Sequence, residues 1–267
     1  MGNKRNPLLH RHILGMRVDI TNYRDATQQI LRWARLRKSS YICAANVHMT
    51  MTAYDKLEFA HAVNGADLVT PDGMPLVLAL RALGVKRISR VYGPTLTLNV
   101  CRAAAQAGIK IALYGGTRET LTLLVVFLRQ HFPGIKLVCQ ISPPFRPLTF
   151  EEDMAYTQQI AKSGASIILA GIGCPKQELW MAAHKDRIPA VMIGVGAAFD
   201  FYSGRVRQAP YWMQKCCLEW LFRLAMEPQR LWKRYAYNNP RFVLLFMMQW
   251  LTSKFRWRFN RVKSVDR

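Results

Sequence analysis

Asp72 is the residue with the clearest chemical potential. It lies in ADLVTPDGMPLVLALRALG, between a short apolar run and a helical one. An Asp-Gly pair at such a junction can be a turn or a helix N-cap and nothing more. If the preceding run is a strand opening on a cleft, the same carboxylate is placed to act as a general base. Asn46 and His48, in AANVHMT, follow another apolar run in the same way. Asn46 offers hydrogen bonds to a substrate hydroxyl, and a lone histidine in this setting is more often structural than catalytic. Arg90, in SRVYGPTL, carries the planar fork that pairs with phosphate or carboxylate, unless it is only a surface charge.

Glycine-bounded turns supply a second set. Gly115 and Gly116 precede Thr117 at the start of a helical run, an arrangement that suits an anion or nucleotide. The full GxGxxG fingerprint with its distal acidic residue is absent. GIGCPKQELW is richer: after two glycines and a proline, Lys176 and Gln177 open a helix and project toward the same side. GVGAAFD places Asp200 after another apolar run. Arg223, Arg230 and Arg234 share a face if one helix carries all three, but Pro228 suits the first turn of a separate helix. No Asp-x-Asp pair occurs, so no metal site is expected. A diphosphate bound here would have its charge met by arginine, lysine and backbone donors.

These residues need a frame. Short apolar runs at 41–45, 67–70, 110–114, 136–140, 166–170 and 190–195 alternate with helical runs at 51–63, 75–83, 96–107, 119–131, 150–162 and 176–185. A further helix is expected at 24–37. Alternation of this kind predicts an α/β fold with a mostly parallel, Rossmann-like sheet flanked by helices. Ligands in such folds sit beyond the carboxyl ends of the strands, where the residues above fall. From Trp212 onward only helical spacing remains, and Pro240 is expected to end a helical unit. The reading divides the chain into an α/β core, 1–210, and a basic helical appendage, 211–267.

The chain has 267 residues and a formal net charge of +22. Residues 205–267 hold 14 Lys/Arg against 3 Asp/Glu, a net +11. Half the excess in the last quarter argues for a localised anionic partner, be it nucleic acid, a phosphate-bearing substrate or an acidic membrane surface, over a basic tail that is merely solvated. Six cysteines without a CxxC pair fit a reducing cytoplasm. The first residues contain no apolar run of signal-peptide length, and Gly2 lacks the Ser/Thr context of an acylation site. The run 243–251, VLLFMMQWL, falls short of the roughly 20 residues of a membrane span, but suits a helix lying in the interface.

Together the stretches ADLVTPDGMPLVLALRALG, SRVYGPTL, IALYGGTRETL, GIGCPKQELW, IGVGAAFDFYSGRVRQAPYWMQKCCLEWLFRL and EPQRLWKRYAYNNPRFV resemble the WecG/TagA/CpsF family of bacterial glycosyltransferases. The resemblance covers about residues 15–245. It implies an inverting, metal-independent enzyme without a cofactor. Such an enzyme moves a glucosyl or N-acetylmannosamine-type sugar from a UDP-sugar to an undecaprenyl-diphosphate-linked saccharide. The work is peripheral, at the cytoplasmic face of the inner membrane. The resemblance makes Asp72 the base and Asn46, Arg90 and Gln177 the site residues. Arg223 and Arg230, with Arg234 beside them, then contact the lipid diphosphate. Many members carry Thr where this chain has Ala44, which leaves the sugar open. A homo-oligomer is compatible with this reading. Two other classes compete with it. An NAD-dependent oxidoreductase would need the missing fingerprint, and a nucleic-acid binder would need a recognition motif that is absent.

Overall fold

The computed structural model describes residues 9–262. Gly2 and the end of the expected appendage lie outside that range. The chain opens with a hairpin, β1 (His10–Ile13) and β2 (Met16–Asp19). Then come α1 (Tyr23–Arg35), β3 (Ser40–Ala45), α2 (Val47–Asp55), α3 (Leu57–Asn64), β4 (Leu68–Pro71), α4 (Met74–Ala82) and α5 (Gly93–Gln106). The alternation continues through β5 (Lys110–Gly115), α6 (Arg118–His131), β6 (Lys136–Ile141), α7 (Phe150–Lys162), β7 (Ile167–Gly171), α8 (Lys176–His184), β8 (Val191–Gly194) and α9 (Ala198–Tyr202). Three helices follow: α10 (Tyr211–Lys215), α11 (Glu219–Met226) and α12 (Pro228–Val262).

The six strands β3 to β8 form one parallel sheet in the order β4-β3-β8-β7-β5-β6. Apart from the edge strand β6, which exposes Lys136, Val138 and Gln140, its strands are buried on both faces, as a helix-covered parallel sheet requires. Ile42, Leu68, Ile111, Leu169 and Ile193 face one core. Cys43, Val69, Ala112, Ile168 and Met192 face the other.

Three features differ from the sequence reading. The hairpin was not expected, because strands of four residues are too short to show a period. Its turn holds Leu14 and Gly15 at positive φ, and the buried Asp19 ties it to β4 by accepting from the Val69 N–H at 2.8 Å. The helix expected at 51–63 is two helices, broken where Lys56 adopts an extended backbone. No glycine or proline announces that break. At the end of α2, Asp55 instead takes both nitrogens of Arg241 on α12 at 2.8 and 2.9 Å.

The third difference is Pro240, which does not end a helix: α12 runs straight through it for 35 residues. Proline removes one helical hydrogen bond, to the Ala236 carbonyl, and crowds the turn before it. Packing on either side outweighs that loss. Leu231, Asn238 and Phe242 are buried, and Phe242 joins the core beneath the sheet. Farther along, the Gln249 side chain accepts from the Leu14 N–H at 2.9 Å and donates to the His12 carbonyl at 2.8 Å. The C-terminal helices are therefore stitched to the sheet unit at several points.

Gly115, at the end of β5, sits at φ +122° with its missing Cβ only 2.5 Å from the Gly171 carbonyl carbon. Gly115→Ala is expected to cost about 3 kcal/mol or more in urea unfolding, through steric conflict added to backbone strain. Gly134→Ala, at φ +83° with open space around it, is expected to cost only about 1 kcal/mol. Equal costs would contradict the close approach of β5 to β7.

Candidate active site

The carboxyl ends of all six strands open into one cleft of about 930 Å³. Side chains from α11 and the start of α12 close its other side. Asp72 follows β4, and its N–H donates to the Ala45 carbonyl at 2.9 Å, which fixes the strand end. Its Oδ1 accepts from the Gly93 N–H at 2.6 Å. Desolvation pushes the Asp72 carboxyl up to about 6; Arg90 opposes the rise, Glu219 adds to it, and the Gly93 N–H and Arg223 oppose it. A carboxylate with that proton affinity is a competent base near neutral pH.

Arg90 spends its guanidinium inside the protein. Its Nε donates to the Asp72 carbonyl, and its Nη2 meets Glu219 Oε2 at 2.5 Å. Its planar face lies over the Tyr92 ring, 4.0 Å from the centroid. Asn46 lines the cleft while its side chain caps α2, accepting from the Met49 N–H at 3.1 Å. His48 does not line the cleft. Its ring turns to Asn238 at 3.3 Å, and burial, helped by Arg234, pushes its pKa down to about 4. Its position gives no support to the expected substrate contact. Gly115 also stays out of the lining and serves the strand contact described above, whereas Gly116 and Thr117 face the cleft.

Gln177 is buried against Gly194, where a Cβ would stand 3.0 Å from its Nε2. Its Oε1 accepts from the Gly196 N–H at 3.2 Å, and its Nε2 donates to Glu178 Oε1 at 2.7 Å. Glu178 is fully buried and its Oε2 has no hydrogen-bond partner; burial holds its pKa up. Lys176 is exposed on the cleft wall. Asp200 also lines the cleft, its pKa raised by burial and opposed by Arg230 and Arg205.

The three arginines come from two helices, Arg223 from α11 and Arg230 and Arg234 from α12, and they still converge on the cleft. Glu227 lies 2.6 Å from Arg230 and 3.8 Å from Arg223. Among the described residues Arg234 has no ion-pair partner, and Nε of both Arg223 and Arg234 is buried without a hydrogen bond. Burial pulls the Arg234 pKa down, and Arg223 and Arg230 add to that pull. Arg223, Arg230 and Arg234, set against Glu227 and the nearby Asp200 with buried donors unused, make an anion-binding wall. Among the described residues no three His, Cys, Asp or Glu side chains gather as metal ligands.

Sequence reasoning missed Glu219, Glu227, Tyr92 and Arg205. Arg205 donates to Thr117 Oγ1 at 2.9 Å, at the start of α6. Glu219 meets Arg90 across 129 positions, so no local spacing could have found the pair.

Comparison with known proteins fits a cleft of this chemistry. The pattern of the Glycosyl transferase WecG/TagA/CpsF family matches residues 11–256. The chain belongs to that family. Two curated relatives are similar over most of their length. One, from Bacillus spizizenii, is 26% identical over 207 residues, covering 77% of this chain and 78% of its own. The other, from Bacillus subtilis, is 26% identical over 209 residues, covering 78% and 79%. Each is named an N-acetylglucosaminyldiphosphoundecaprenol N-acetyl-beta-D-mannosaminyltransferase.

If Asp72 is the base, kcat/KM is expected to fall on the acid side of about pH 6. Asp72→Asn should lower kcat about 10²–10⁴-fold. Because burial raises this pKa, folding favours the protonated form, and the Asp72 contribution to stability declines as pH rises from the unfolded value of 3.8 to about 6. Asp72→Asn should therefore melt no lower than the parent at pH 7. Full activity in this variant would remove Asp72 from the role.

Proposed function

We propose that this glycosyltransferase moves a hexosyl or N-acetylhexosaminyl group from a UDP-sugar to an undecaprenyl-diphosphate-linked saccharide, with inversion. The observation that carries the reading is the pairing, in one cleft, of a desolvated carboxylate and an arginine wall with unused buried donors. In this reading Asp72 takes the proton from the acceptor hydroxyl. That oxygen attacks the anomeric carbon, and UDP leaves from the opposite face. Asn46 and Gln177 orient the sugars. Arg223, Arg230 and Arg234, with Lys176 on the same cleft, offset the diphosphate charge in place of a divalent ion. A cleft of about 930 Å³ is roomy for one nucleotide sugar and suits two substrates meeting. The acceptor type is that named for the Bacillus relatives.

A lipid-linked acceptor requires contact with a membrane. No helix among the described residues is long and apolar enough to cross one. Yet the outward face of α12 exposes Val243, Leu244, Met247, Met248 and Leu251, opposite the buried Phe242. Trp212 and Tyr211 on α10 are exposed as well, beside Lys215. An apolar helix face with flanking cations suits an anionic bilayer surface, here the cytoplasmic leaflet. Along a helix rising about 1.5 Å per residue, Leu244 stands roughly 15 Å beyond Arg234, so docking brings the cleft near the lipid headgroups.

Two measurements test these statements. A panel of UDP-sugars with an undecaprenyl-diphosphate-linked acceptor, read by mass, should yield a glycosylated lipid, with turnover unchanged by EDTA. Loss of turnover in EDTA and its recovery with Mg²⁺ would contradict the arginine-only reading. Leu244→Glu combined with Met247→Glu should weaken sedimentation with phosphatidylglycerol vesicles by roughly tenfold or more, without a change in melting temperature. Unchanged sedimentation would assign the face elsewhere.

A further inference from the structure

Glu219 uses both carboxylate oxygens. Oε2 takes Arg90, and Oε1 accepts from the Tyr92 hydroxyl at 3.0 Å. The side chains of the ion pair are only 14% and 18% exposed, so the contact is largely desolvated. Arg90 passes the contact on to the main-chain carbonyl of Asp72. Tyr92 passes it to the adjoining Gly93, whose N–H holds the Asp72 carboxylate. The result is a closed ring of contacts around one carboxyl group. Four of its five members lie between residues 72 and 93, and α11 supplies the fifth.

We infer that Glu219 is a positioning residue, through which the docking of α11 fixes both ends of Asp72. The inference rests on the reading of Asp72 as the base and extends it to a residue that does not touch substrate. Two consequences follow. First, Arg90 is already neutralised, so the diphosphate is left to Arg223, Arg230 and Arg234. Second, the fixed negative charge of Glu219 strengthens the base. The groups facing Asp72 are Arg90 and Tyr92 on the segment entering α5, Glu219 and Arg223 on α11, and Tyr23 on α1. Burial dominates its proton affinity, and Glu219 raises it further against the two arginines.

The test uses the full chain and the pair Glu219→Gln and Glu219→Ala. The Asp72 carboxyl is followed by ¹³C NMR titration and assigned by its absence in Asp72→Asn. Glu219→Gln keeps the hydrogen-bonding shape and drops the charge. Its Asp72 midpoint should fall by roughly half a pH unit or more, and its kcat/KM acid limb should move with it. Glu219→Ala should also speed amide exchange across Glu219–Met226, which Glu219→Gln should not. In both variants kcat should fall while the affinity for UDP, measured calorimetrically, changes less than about twofold. An unmoved midpoint in Glu219→Gln overturns the inference, as does a large loss of UDP affinity in that variant. Failure of the base reading is distinct, because it would show as full turnover in Asp72→Asn whatever the midpoint does in Glu219→Gln.

Discussion

A carboxylate withdrawn from water costs free energy unless neighbouring donors offset it, and the cleft is organised around that constraint at Asp72. The Gly93 N–H and the Arg90 guanidinium supply compensation. Glu219 and burial hold it incomplete. The balance leaves a group that binds a proton near neutral pH without abandoning the ionised form. Position and proton affinity both come from the same few contacts. Gly93 is close enough to donate, and a Cβ there would only touch Asp72 Oδ1 and Ala44 Cβ, each at 3.4 Å.

The opposite wall has the complementary problem. Arg223, Arg230 and Arg234 crowd together, and Glu227 pairs with only the first two. Buried guanidinium nitrogens without partners are costly, and an anion that enters the cleft relieves that cost. The free protein thus holds a site whose best-satisfied state is the occupied one. In the proposed mechanism Asp72 would take the acceptor proton and the arginines would hold the departing diphosphate.

Much of this was legible in the sequence because strands and the residues after them are local features. The β-branched runs gave all six strands of the parallel sheet, and the rule that ligands sit at their carboxyl ends picked out Asp72, Asn46 and Gln177. What could not be read is set by packing. The extended Lys56 has no breaker residue beside it. Pro240 stays helical because Phe242 and Gln249 are anchored beyond it. Strand-end position alone misplaced His48, which faces Asn238 on α12 and not the cleft. Glu219 reaches Arg90 only after α11 folds back over the sheet.

Where a bound donor lies between those two walls decides the proposed mechanism. A structure with a non-hydrolysable UDP-sugar tests it most directly. The β-phosphate should lie within hydrogen-bonding distance of at least one of Arg223, Arg230 and Arg234, with the anomeric carbon between it and Asp72. A diphosphate lying on the Asp72 side of the sugar, or seated away from all three arginines, would contradict it.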